Sequence, residues 1–165
     1  MDLTSNYLGI DLTSPLVVGA CPLSDDIDAC CELEDQGAGA LVMHSLFEEQ
    51  ITREQLSAYQ HQTAYEDAHA EALSYFPEQD SFRLGPDLYL EQLRKLKERL
   101  SIPVLGSLNG VAVGGWMHYA RLMQEAGADG LELNVYYMAT DPDEEPLNVE
   151  QRYVEIALRV KREVD

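Results

Sequence analysis

Two patterns alternate along this chain: short unbroken apolar runs, and longer stretches where apolar residues recur at helical spacing. The run Pro15-Leu16-Val17-Val18-Gly19-Ala20 lacks alternation, the pattern of a strand covered on both faces as in a parallel sheet. Ser24 then offers an N-cap, with Asp25 and Asp26 in the first turn, and predicts a helix to about Gln36 closed by Gly37. A second buried strand, Ala40-Leu41-Val42-Met43, delivers His44, Ser45, Leu46 and Phe47 at its carboxyl end. Residues 48–86 read as a long polar insertion, and 54–72, free of Gly and Pro, as a helix within it. Pro86 opens another helix with Leu90, Leu93 and Leu96 on one stripe.

The third strand, 102–110, ends in Ser107-Leu108-Asn109-Gly110. A helix over 115–126 follows on the pattern Trp116, Tyr119, Ala120, Met123, and Gly127 stops it. The fourth strand, 130–137, precedes a final helix from about Asn148 to Val164. Ahead of all these, residues 3–12 alternate around Leu8-Gly9, which suits a short hairpin.

Strand and helix thus alternate four times, which predicts an α/β protein with a parallel sheet and helices outside it. Two passages from helix stop to strand echo each other, Gln36-Gly37-Ala38-Gly39-Ala40-Leu41 and Glu125-Ala126-Gly127-Ala128-Asp129-Gly130-Leu131. No G-x-G-x-x-G follows the first strand, so a dinucleotide-binding doubly wound sheet loses its main support to a (β/α) barrel of the TIM type. A complete barrel takes about 250 residues. The 165 residues here are expected to form one domain with about four βα units, a half-barrel with a short N-terminal hairpin and a long insertion after strand 2.

Composition narrows the partners. Thirty acidic residues against 11 basic ones give a formal net charge of -19, and the first basic residue is Arg53. Such a field repels polyanions, so neither nucleic acid nor an anionic membrane is an expected partner. No apolar run reaches the ~20 residues that span a bilayer, and Met1-Asp2-Leu3 does not open a signal peptide. A cytoplasmic location is the expectation. Cys21, Cys30 and Cys31 have neither disulfide-framework nor zinc spacing and read as reduced thiols. Glu66-x-x-His69 with His61 lacks the second motif and facing glutamates of a di-iron site and reads as a solvated helical face; no metal is expected.

Taken together, Asn6-Tyr7-Leu8-Gly9, Pro15-Leu16-Val17-Val18-Gly19-Ala20, His44-Ser45-Leu46-Phe47-Glu48-Glu49-Gln50, Ala72-Leu73-Ser74-Tyr75-Phe76-Pro77-Glu78, Ser107-Leu108-Asn109-Gly110 and Leu131-Glu132-Leu133-Asn134 resemble the dihydroorotate dehydrogenase-like family. The resemblance spans nearly the whole chain and corresponds to the amino-terminal half of such a protein. It implies an FMN-binding TIM barrel, an oxidoreductase that passes hydride from a small cyclic substrate to flavin, and a place in pyrimidine metabolism. It implies flavin contacts at Gly19, Ala20 and Cys21, at His44 and Ser45 where the family has Lys-Ser, and at Asn134 of Glu132-Leu133-Asn134, which matches the family's Glu-x-Asn. Asn109 and Ser107 are further candidates to line the cofactor site, the other reading being a turn around Gly110.

Tyr137 occupies the position of the family's Cys or Ser base, and an unshifted phenol is a poor base at neutral pH, which sets dihydroorotate itself in doubt as the substrate. The family's fifth-strand Lys and its phosphate grip have no counterpart in these residues. Catalysis therefore requires a complementing half-barrel, from a second copy or a separate chain. The alternative is a non-catalytic half-barrel that oligomerises and lacks cofactor binding.

Overall fold

The computed structural model of the protein describes residues 2–49, 51, 85–110, 114 and 117–164. The insertion's predicted helix over 54–72, with His61, Glu66 and His69, lies outside the described residues, as does Trp116.

The chain opens with an antiparallel hairpin of β1 (Ser5–Tyr7) and β2 (Ile10–Leu12). Its turn residues Leu8 and Gly9 have φ of 55° and 79°. A two-residue turn of this hand matches the twist of the flanking strands and needs positive φ at both positions, which Gly9 adopts freely.

Four parallel strands follow: β3 (Val17–Val18), β4 (Ala40–Phe47), β5 (Val104–Gly110) and β6 (Gly130–Val135). Their spatial order is their chain order, without the reversal that defines a doubly wound sheet. Between and after them run α1 (Ile27–Asp35), α2 (Pro86–Arg99), α3 (His118–Glu125) and α4 (Pro146–Glu163). The protein is an α/β fold with a four-stranded parallel sheet.

Alternation along β4 explains its unbroken apolar run. Leu41 and Met43 enter the large core beneath the helices, with Leu93, Leu96, Val104 and Met123. Ala40 and Val42 enter a smaller cluster on the opposite face, with Leu12, Leu105 and, from the hairpin, Ile10. The hairpin thus covers part of the face the helices leave open, and β4 is apolar on both sides.

Two expectations need correcting. The first apolar run is not covered on both faces: Leu16 is 64% exposed and Val17 40%, because β3 is an edge strand with β4 as its single neighbour in the sheet. Ser24 does not cap α1 either. It is buried in a 3-10 turn, Pro22–Asp25, where its hydroxyl donates to the Cys21 carbonyl at 2.9 Å and accepts from the His44 amide at 2.8 Å. Asp26 caps the helix instead, accepting from the amides of Asp28 and Ala29 at 2.9 and 3.2 Å. The helix stops fall where expected, with Gly37 at φ 98° and Gly127 at 100°. Among the described residues, no helix is long and apolar enough to cross a membrane.

Candidate functional site

The candidate site begins with an irregularity in β4. Val42 pairs with Leu105 and Ser45 with Ser107, so Met43 and His44 together oppose the single residue Gly106. A bulge of this kind adds one residue and re-aims the side chains around it. Met43 is fully buried in the helix-side core. The His44 ring meets Tyr89 of α2 edge-on, with centroids 5.2 Å apart, and its Nδ1 lies 2.5 Å from Asp25 Oδ1. That contact lacks the alignment of a hydrogen bond, so its attraction is one of charge when the ring is protonated. After the bulge, Ser45 returns to the face away from the helices, opposite Ser107.

On that face three neighbouring strands bring four polar side chains together. Ser45 Oγ and Ser107 Oγ are 2.9 Å apart, and Ser107 Oγ donates to Glu132 Oε1 at 3.1 Å. Asn134 Nδ2 donates to Glu132 Oε1 at 3.0 Å, to Ser107 Oγ at 3.2 Å and to Ser45 Oγ at 3.5 Å. Strand period explains the convergence, because Glu132 and Asn134 are two residues apart on β6, at the height where β5 and β6 pair Ser107 with Glu132. Ser107 is fully buried. From the helix side, the buried Tyr89 hydroxyl accepts from the Ser107 amide at 2.9 Å. Burial pushes the Tyr89 phenol well above the ordinary tyrosine range, so it stays protonated.

A cavity of about 400 Å³ opens between the hairpin and this cluster, with Gly19, Val42, Leu105 and Glu132 in its wall. Gly19 and Ala20 are exposed just beyond β3. A Cβ at Gly19 would meet nothing within 4 Å, so the ground in front of it is open. Cys21 is half-buried, and its carbonyl accepts from Ser24. Asn109 is buried, paired in register with Phe47 on one side and Asn134 on the other.

Of the residues singled out in the sequence, Ser45 and Asn134 meet directly and Gly19 shares the cavity wall with Glu132. His44 is turned to the helix side by the bulge. Tyr137 lies in a separate group: its hydroxyl donates to Glu144 Oε2 at 2.6 Å, and the Arg152 guanidinium sits 3.8 Å over its ring while donating to Glu144 Oε1 at 3.1 Å. Its proton is committed to that carboxylate. Ser107, a candidate beside Asn109 in the sequence, joins Ser45 and Asn134, and so does Glu132, to which the sequence assigns no role; the period-two spacing of Glu132 and Asn134 was the available signal.

These features define the class, a parallel α/β protein with a polar cluster on the helix-free face of its central strands. No protein-family model matches the chain, and no curated protein matches it in sequence. Among the described residues no group of three or more His, Cys, Asp or Glu side chains is placed to hold a metal ion.

Proposed function

We propose that the protein is an FMN-dependent oxidoreductase of the dihydroorotate dehydrogenase-like family, and that its sheet is an arc of a TIM-type (β/α) barrel. The observation that carries this reading is the polar cluster of Ser45, Ser107, Glu132 and Asn134 on the helix-free face, with Ser107 and Glu132 at mid-strand and Ser45 and Asn134 toward the carboxyl ends of their strands. In (β/α) barrels that position holds the active site. Sequential strand order and a hairpin across the helix-free face support the same reading.

The residues fit the ring of a flavin better than its phosphate. Open ground at Gly19 gives a flat ring room, and Glu132 in the same wall, with Asn134 bonded to it, offers a hydrogen-bonding partner to a heterocycle edge. When bound, FMN supplies a two-electron acceptor for hydride. Among the described residues that line the cavity none is basic, and in this reading a phosphate grip comes from complementing βα units. The sheet edges support such a complement. Leu16 and Val17 are exposed at the β3 edge, and an apolar groove of about 470 Å³ runs beside β6 between Leu131, Leu133, Val160 and Val164. The lack of a basic residue among the described cavity residues favours the second reading, a non-catalytic half-barrel that oligomerises.

Purification in the presence of FMN tests the cofactor: bound flavin absorbance is expected, and colourless protein without measurable FMN affinity leaves the non-catalytic reading. Sedimentation at micromolar concentration tests the complement. Concentration-dependent self-association is expected, and a monodisperse monomer counts against the arc.

A further inference from the structure

We infer that the outward face of α4 docks a second copy of this chain, with the two helices antiparallel. This face lies away from the sheet edges and the polar cluster, and the inference does not depend on the flavin reading.

Helical period carries the first step. On its inner side α4 sends Ile156 and Val160 into the helix-side core. At about 100° per residue, Leu147, Val154 and Leu158 fall within about 20° of the direction opposite Ile156. They are 70%, 57% and 52% exposed. With Gln151 between them they repeat at spacings of four, three and four, which is the seam of a helix that packs on another helix and not the back of one that faces water. A groove of about 280 Å³ runs along this seam between Val154, Leu158 and Arg162, a hole for the side chain of a facing helix. The groove beside β6 lies on another side of α4, against Ala157, Val160 and Val164, so the two are separate surfaces.

Charge chooses the occupant. Residues 146–163 carry four basic side chains and three acidic ones, so α4 stands outside the negative field of a chain whose net charge is -19, and a second copy can approach it there. Glu150 and Lys161 flank the seam on the same side, about three turns apart. Neither forms an ion pair with another described residue. An antiparallel pairing that sets Val154 against Leu158 of the second copy brings Lys161 of each chain opposite Glu150 of the other. Each contact then occurs twice about one two-fold axis, as an isologous interface requires. A parallel pairing would set Lys161 against Lys161 and Glu150 against Glu150, so the charges select the antiparallel one. Three apolar side chains per copy suit a reversible dimer in the micromolar range, smaller than an obligate interface.

Sedimentation equilibrium of the full chain across the micromolar range reads the dissociation constant, and a reversible dimer is expected. Leu158→Glu changes an exposed position outside the core and should weaken the dimer at least about tenfold, because it sets a charge against an apolar contact in both copies. Glu150→Lys should weaken it about fivefold, the effect of two exposed ion pairs lost, and adding Lys161→Glu should restore it. Restoration by the swap is the signature of the antiparallel arrangement, since a parallel pair would gain nothing from it. Val17→Lys, on the β3 edge, should leave the dimer unchanged. A monomer at every concentration overturns the inference, whatever other chain or segment covers the seam. Association that survives Leu158→Glu overturns it too; if that association falls with Val17→Lys, the contact lies at the sheet edges and the complementing half-barrel stands. A swap that fails to restore the affinity overturns the antiparallel pairing. If Leu158→Glu does not fold by circular dichroism, the charge swap, confined to the surface, still decides.

Discussion

Replacing Tyr89 with Phe isolates the support beneath the polar cluster. The ring is fully buried among α2 and the helix-side core, and Phe fills the same volume, so the perturbation is the loss of one hydroxyl. That hydroxyl accepts from the Ser107 amide at 2.9 Å, just past the point where the β4–β5 register shifts. Its own donation to the Ser107 carbonyl is long, at 3.5 Å, and adds little. Tyr89→Phe therefore leaves a buried N–H without its acceptor, which costs about 1–3 kcal/mol. Taking about 2 kcal/mol and the scaling for a chain of this size, Tm falls by about 4–8 °C. In urea the midpoint should drop with an unchanged slope, since the surface exposed on unfolding is the same. Amide exchange at Ser107 should accelerate more than at neighbouring β5 positions. A loss below about 0.5 kcal/mol would mean the amide has another acceptor within reach, and that Tyr89 does not hold Ser107 in place for Ser45, Glu132 and Asn134.

Two further outcomes follow from close packing and burial. A Cβ on Gly39 would stand 2.0 Å from the Ser14 carbonyl oxygen, and Ser14 is tied down by its hydroxyl, which donates to the Gly37 carbonyl at 2.7 Å. Because the obstacle is backbone, Gly39→Ala should cost about 3 kcal/mol or more in urea denaturation, and a loss under about 1 kcal/mol would show that Ser14 can retreat. Burial, followed by the neighbouring Cys31 and Asp26, raises the Cys30 thiol to about 11. The folded form holds this proton more tightly than the unfolded chain, so stability is retained below the unfolded value near 9 and falls as pH rises from there toward 11. Native Cys30 should resist iodoacetamide at pH 8, and Cys30→Ala should flatten the alkaline slope; rapid labelling at pH 8 or an unchanged slope would contradict its burial.

Much of the fold was legible along the chain because its signals are local. Gly37 and Gly127 stop helices by adopting positive φ, Leu8-Gly9 turns the hairpin, and Pro86 starts α2; each acts within a few residues of itself. The first apolar run misled, because Leu16 and Val17 have the composition of a covered strand and covering depends on what lies beside β3. Ser24 misled in a similar way. As a helix cap it needed only its neighbours, but the His44 amide, 20 residues on, drew its hydroxyl inward and left the cap to Asp26.

The site divides along the same line. Spacing alone put Glu132 and Asn134 on one face of a strand, and placed Ser45 and Asn134 at the carboxyl ends of their strands. Whether His44 or Ser45 would face the cluster was beyond the reach of sequence, since a bulge between Val42 and Ser45 reverses every side chain that follows it and arises only when β4 is laid against β5. Short-range periodicity determines what each segment is. The register between segments, a balance of contacts distant in the chain, determines which polar atoms meet.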